Sequence, residues 1–189
     1  MKVLEQAIIE KGKVLPGNVL KVGAFLNNQL DVNLLSKLGE EIFNHFKDKG
    51  VNKILTIEAS GIALAVLTAE KFGCNVVFAK KSKTLNVSGG IYTAKCFSYT
   101  HKVENNLVVP EEFLGEGDNV LIVDDFLAHG EAVNACMEII KKAGASLKGV
   151  AIAIEKGFQG AGDKFRANGI DLLSLAIVDK MEEGNISFR

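Results

Sequence analysis

Residues 119–133, NVLIVDDFLAHGEAV, decide how the rest of the chain is read. Val120, Leu121, Ile122 and Val123 are apolar without interruption, the mark of a strand buried on both faces, as in parallel sheets. Asp124 and Asp125 stand where that run ends, and Gly130 leads into a predicted helix over EAVNACMEIIKKAGA. Two like charges side by side repel unless a cation, a donor-rich ligand or a lysine holds them. In open α/β sheets ligands gather beyond the carboxyl ends of the strands, so the acid pair is expected to mark a site there. A single acid in this place would be accounted for as a helix cap.

The same alternation recurs on either side. Between Asp31 and Gly50, Leu34, Leu35, Leu38, Ile42, Phe43 and Phe46 share one helical face, with Asp31 as N-cap and Gly50 as stop. NKILTIEASG reads as a strand and turn, GIALAVLTAEKFG as a helix ended by Gly73, and CNVVFAKKS as the next strand. After the predicted helix come two more strands, LKGVAIAIEKGF and DLLSLAIVDKM. Strands alternating with helices imply an α/β fold, an open, mostly parallel sheet with helices on both faces. Residues 82–106, SKTLNVSGGIYTAKCFSYTHKVENN, break that rhythm and are expected to form a partly β excursion, a candidate flexible lid.

At 189 residues a single domain over 1–189 is expected. With 48% hydrophobic and 24% charged residues and no low-complexity run, a folded core is expected rather than disorder. A net charge of −1 argues against a broad nucleic-acid or anionic-lipid surface, while leaving room for a local basic site. Cys74, Cys96 and Cys136 follow no C-x-x-C spacing and read as reduced thiols of a cytoplasmic protein. MKVLEQAIIEKGKVLPG has acids within its apolar stretch and does not read as a signal peptide. No segment approaches the ~18 consecutive apolar residues of a membrane span. No His/Cys spacing suits a metal held by the protein itself.

The stretch after the acids narrows the ligand. LAHGEA turns tightly around Gly130 into a helix, so unpaired backbone N–H groups and the helix dipole converge on a place suited to phosphate. Carboxylates beside a phosphate cradle make sense for a phosphorylated sugar, whose hydroxyls donate to the acids.

VLIVDDFLAHGEA resembles the phosphoribosyl-pyrophosphate signature of the type I phosphoribosyltransferases. LKVGAFLNNQLDV, TIEASGIALA, VVFAKKSKTL and AIEKGFQ resemble, in the same order, the xanthine-using branch of that family. The resemblance implies that Asp124 and Asp125 face the ribose 2- and 3-hydroxyls. Ala128, His129, Gly130, Glu131 and Ala132 would wrap the 5-phosphate. Ser60 and Gly61 would bring amides to the pyrophosphate, and Lys80 and Lys81 would steady the leaving group with Mg²⁺ that the substrate carries. For xanthine, Lys156 would donate to a purine carbonyl and Phe158 would stack. Leu20 and Asn27 would form a hood built from about residues 1–30 and the C-terminal part. Tyr99, with Ser98 and Thr100, would be the lid's polar contacts.

This chain departs from the wider family in having His129 and Ala132 where many members carry hydroxyls, so backbone donors must hold more of the phosphate. Ala128 stands where hypoxanthine-type enzymes place an acid. Xanthine, a more acidic purine, tolerates that loss. His129 belongs to the phosphate turn by position, and His45 and His101 read as solvated or structural. The resemblance further implies a homodimer. Rival readings are a guanine or hypoxanthine enzyme, and a purine regulator on the same fold, which would need a DNA-binding element that the first thirty residues do not suggest.

Overall fold

The structure, a computed structural model, describes residues 1–81, 89–98, 103–182 and 185–189. Helix α1 (Lys2–Lys11) precedes a small hairpin of β1 (Lys13–Leu15) and β2 (Val19–Lys21), and a π-type turn at Gly23–Asn27 leads to α2 (Val32–Phe46). Then come β3 (Lys53–Ile57), α3 (Gly61–Phe72), β4 (Asn75–Lys81), β5 (Ile91–Ser98) and β6 (Val103–Pro110). The chain continues through β7 (Asn119–Leu127), α4 (Glu131–Lys142), β8 (Ser146–Lys156), α5 (Ala161–Ala167), β9 (Leu172–Glu182) and β10 (Asn185–Phe188).

Among the described residues eight strands form one sheet, in the order β10-β9-β8-β7-β3-β4-β6-β5. The run from β9 to β4 is parallel throughout, and both edges are antiparallel. This is the expected mostly parallel α/β sheet. Its centre, β7, is apolar because it is covered twice. Leu121 and Val123 pack with Leu35, Leu38 and Ile42 of α2 and Leu64 of α3 on one face. Val120 and Ile122 pack with Val133, Cys136 and Ile139 of α4 on the other. Helices therefore lie on both faces.

Helix α2 keeps its expected ends. The Asp31 carboxylate accepts the Leu34 N–H at 3.1 Å, and Gly50 closes the following short turn with φ 67°. The acid pair departs from expectation, because β7 does not stop before it. Asp124 still pairs in register with Ile152 and Leu127 with Glu155, so the carboxylates lie within the strand. The excursion over 82–106 is partly β, as expected. Where described, it is a hairpin built into the sheet, with Lys80 paired to Val108 and Lys81 to Leu107, and it runs on to Pro110. Its inner residues Ala94, Cys96, Leu107 and Val109 pack with α4. Tyr99, Thr100 and His101 lie outside the described residues, as do the side chains of Ser98 and Val103.

One buried ion pair ties α5 to the sheet beside the end of β8. Glu155, 1% exposed, accepts from both terminal nitrogens of Arg166, at 3.1 and 2.6 Å, and from the Ser174 hydroxyl. Removing the arginine strands a buried carboxylate. Arg166→Ala is therefore expected to lower the unfolding free energy by about 3 kcal/mol, read as a lower urea midpoint. The pair Glu155→Gln with Arg166→Met should regain much of that loss.

Candidate active site

A cavity of about 560 Å³ opens at the carboxyl ends of β3, β4 and β7. Glu58 and Ser60, from the turn after β3, form one wall, with Lys81 at the end of β4. Cys96, Phe97 and Asn105 of the hairpin form another, and residues 124–133 form the floor and the far side. Asp124, Asp125, Ala128, His129, Gly130, Glu131, Ala132, Ser60 and Lys81 are thus brought together as the sequence led one to expect.

The acids are 8% and 7% exposed. Burial pushes up the thiols of Cys96 and Cys136, and a negative charge on Asp124 adds to the rise in both. Asp125 faces the N-terminal segment, where the Asn27 amide donates to its Oδ2 at 3.4 Å. The Asp125 N–H donates to Asp124 Oδ1 at 3.0 Å. Burial holds the Asp124 carboxyl well above the ordinary aspartate range, and the Asp125 charge adds to the rise, against the opposing pull of the Asp125 N–H and Lys81.

Gly61 stands behind the wall rather than on it. A Cβ there would come within 2.7 Å of Asp124 Oδ1 and would also collide with the Thr56 hydroxyl. Its lack of a side chain lets α3 begin directly against the acid. Gly130, at φ +90°, adopts a conformation that favours glycine, and the Phe165 ring lies 3.0 Å from where its Cβ would stand. Helix α4 starts at once, its Asn134 N–H bonding the Gly130 carbonyl at 2.9 Å. The N–H groups of the first turn, which a helix leaves unpaired, therefore belong to cavity residues Glu131, Ala132 and Val133.

The two lysines separate. Lys81 is on the cavity wall, and its N–H donates to Glu58 Oε1 at 2.5 Å. Lys80, one residue earlier, projects from the opposite face of β4, with its ammonium 5.8 Å from the Phe78 ring, and lines a different groove. The expectation that both lysines serve the site is thus corrected by the period of the strand.

The residues assigned to a purine lie beside this cavity. Lys156, at the end of β8, donates to the Asn18 carbonyl at 2.8 Å, and its ammonium is 5.9 Å from the Phe126 ring. Burial lowers its pKa. Leu20 is buried in the small hairpin, and Phe158 is 37% exposed in the turn after Lys156. Of these four, Asn27 reaches a cavity residue directly through Asp125, and Lys156 does so through Phe126. Phe126 went unremarked in the sequence, although an aromatic between an acid pair and a phosphate turn was the available signal. Glu58, from the quoted EASG turn, is on the wall, whereas Cys96, Phe97 and Asn105 were missed, because they come from a hairpin whose docking is a long-range matter.

The cavity wall carries Glu58, Asp124, Asp125 and Glu131, against Lys81 as its lysine or arginine among the described residues. An anionic ligand gains little from such a wall unless a cation accompanies it. Among the described residues no group of three or more His, Cys, Asp or Glu side chains converges to hold a metal unaided.

The family profile described as "Phosphoribosyl transferase domain" matches residues 21–174. The xanthine phosphoribosyltransferase of Bifidobacterium adolescentis is 50% identical over 192 aligned residues, covering 100% of both chains. That of Bifidobacterium longum is 48% identical with the same coverage. Among solved structures, the APRTase from Giardia lamblia complexed with 9-deazaadenine shares the fold, with a TM-score of 0.77 at 22% identity, over 92% of this chain and 96% of that one.

The raised pKa of Asp124 has a consequence for stability. A carboxyl that holds its proton more tightly when folded stabilises the molecule below the ordinary aspartate pKa, and that contribution is lost as pH rises through the folded-state value. Asp124→Asn keeps the acceptor for the Asp125 N–H and removes the buried charge. It is expected to melt higher than the parent near pH 7, by about 3 °C for each kcal/mol recovered. The difference should vanish near pH 3, as scanning calorimetry at both pH values would show.

Proposed function

The chain belongs to the phosphoribosyltransferase family, with full-length xanthine phosphoribosyltransferases among its relatives, and on that premise we propose that it converts xanthine and 5-phosphoribosyl 1-pyrophosphate to xanthosine 5'-monophosphate and pyrophosphate, in purine salvage. The observation that carries this reading is one cavity shared by Asp124, Asp125 and the 128–132 turn, with Asn27 and Lys156 joined to its edge.

In this reading the N–H groups around Ala128–Ala132 hold the 5-phosphate at the start of α4, where the helix dipole favours an anion. Asp124 and Asp125 accept hydrogen bonds from the ribose hydroxyls. As the bond to pyrophosphate breaks, positive charge grows on the ribosyl carbon, and carboxylates held in a poorly hydrated place stabilise it strongly. Asp124 gives up its proton to the extent that this charge, or a cation on the substrate, repays its burial. Ser60 and Lys81 face the departing pyrophosphate. The acid-rich wall fits a substrate that arrives as its Mg²⁺ complex, and the ion, when bound, neutralises charge on the leaving group. Cys96, Phe97 and Asn105 shield the ribosyl carbon from water, which would otherwise attack it.

Lys156 donates to a purine carbonyl and Asn27 offers a donor and an acceptor to the dioxopurine edge, with Leu20 above and Phe158 as a stacking face. Phe126, within reach of Lys156, is a second stacking face. We assign the work to a single domain over residues 1–189, acting in the cytoplasm as a homodimer. The free thiols of Cys74, Cys96 and Cys136 suit a reducing compartment, and no described helix is long and apolar enough to cross a membrane. A regulator reading has little support, since the first thirty residues form a helix, a β-hairpin and a π-type turn.

Assays with each purine base, 5-phosphoribosyl 1-pyrophosphate and Mg²⁺ are expected to give the highest kcat/KM with xanthine. A preference for guanine or hypoxanthine would overturn the base assignment, and no turnover with any base would overturn the enzyme. Asp124→Asn combined with Asp125→Asn should lower kcat by about 10³-fold or more while circular dichroism stays unchanged. Lys156→Ala should raise the KM for xanthine and leave calorimetric binding of the sugar pyrophosphate intact.

A further inference from the structure

The turn that carries Phe158 is gripped from outside by a residue of the sheet edge. Lys156 lies in one cross-strand row with Val178 of β9 and Phe188 of β10. Arg189, directly after Phe188, is held on that row by its own N–H, which donates to the Ile177 carbonyl at 3.0 Å. Its guanidinium then reaches three elements at once. Nε donates to Asp179 Oδ1 of β9 at 3.0 Å, and Nη1 donates to both carboxylate oxygens of Asp163 in α5, at 3.0 and 3.1 Å. Nη2 donates to the Gly157 carbonyl, the first residue after Lys156, at 3.3 Å.

Gly157 is packed too closely at this grip to carry a side chain. A Cβ there would stand 2.8 Å from Ile177 Cγ2, 3.1 Å from the Val178 carbonyl and 3.2 Å from Arg189 Nη2. The turn is thus pressed between β9 and the guanidinium, and Asp163 anchors the helix that follows. We propose that Arg189 is a positioning residue for base recognition, fixing the Gly157–Gln159 turn so that Lys156 and Phe158 meet the purine in register. This rests on the function proposed above.

The charges involved are half exposed, with Arg189 at 40% and its partners Asp179 and Asp163 at 43% and 54%. Exposed ion pairs contribute little to global stability. Positional error at a binding group is felt far more strongly, because recognition depends on displacements of less than an ångström. A local effect on the base therefore outweighs an effect on folding, and the two separate in measurement.

Arg189→Ala and Arg189→Lys would be compared with the parent by steady-state kinetics, thermal melting and hydrogen exchange. Arg189→Ala is expected to raise the KM for xanthine about tenfold while the KM for 5-phosphoribosyl 1-pyrophosphate stays within about twofold. Amides of residues 157–160 should exchange faster, with the rest of the sheet unaffected. Arg189→Lys, which keeps one charge but loses the fork, should recover part of the loss. An unaltered KM for xanthine, or an equal rise for both substrates, would overturn the role. The two failures are distinguishable: a parent enzyme idle with every purine overturns the proposed function, whereas an active parent whose R189A variant keeps its xanthine KM overturns only the role of Arg189.

Discussion

Strand β7 is covered on both faces up to and beyond its acids, and the chemistry of the site depends on that burial. Leu121 and Val123 face α2 and α3, while Val120 and Ile122 face α4. Because pairing with β8 persists to Leu127, Asp124 and Asp125 are carried into surroundings almost as dry as the core before them. A carboxylate in such surroundings is costly to ionise, and Asp124 shows it in its raised pKa. The same dryness makes any positive charge brought beside it unusually well stabilised. The cost of ionising the acid and the stabilisation of a cation beside it have one origin.

Position along the strands then distributes the functional groups. Asp124 carries its Oδ1 against Gly61 at the start of α3, and Asp125 meets Asn27 of the N-terminal segment. The two acids therefore meet different elements at one cavity. Lys80 and Lys81 are parted by strand alternation, since only Lys81 reaches the cavity.

Local signals in the sequence carried the parallel strands, the capped helix α2, the acid pair at the cavity and the tight turn into α4, because each depends on spacing within a few residues. Asp31 capping α2 is legible in the chain and present in the structure. What escaped is non-local or weakly patterned. Helix α1 buries only Leu4, Ala7 and Ile8, too faint a stripe to stand out, and α5 is only seven residues long. The excursion after β4 showed its β character but not its docking, which is decided by Ala94, Cys96, Leu107 and Val109 finding α4. The direction of Lys80 was open to inference, since strand period alone sets adjacent side chains apart. The contact between Asn27 and Asp125 spans 98 residues and carries no sequence pattern.

That contact gives the architecture a further logic. An N-terminal segment held by Phe25 and Leu26 in the core beneath α2 extends its Asn27 amide to an acid in the middle of the sheet. Lys156, from the next strand, reaches back to the Asn18 carbonyl in the same segment. The two contacts run in opposite directions, one from segment to sheet and one from sheet to segment, so the segment is pinned at both its ends. In the function proposed above, a ribose hydroxyl donating to Asp125 would compete with the longer of the two, the 3.4 Å contact, and leave the Asn27 amide for an acceptor on the base.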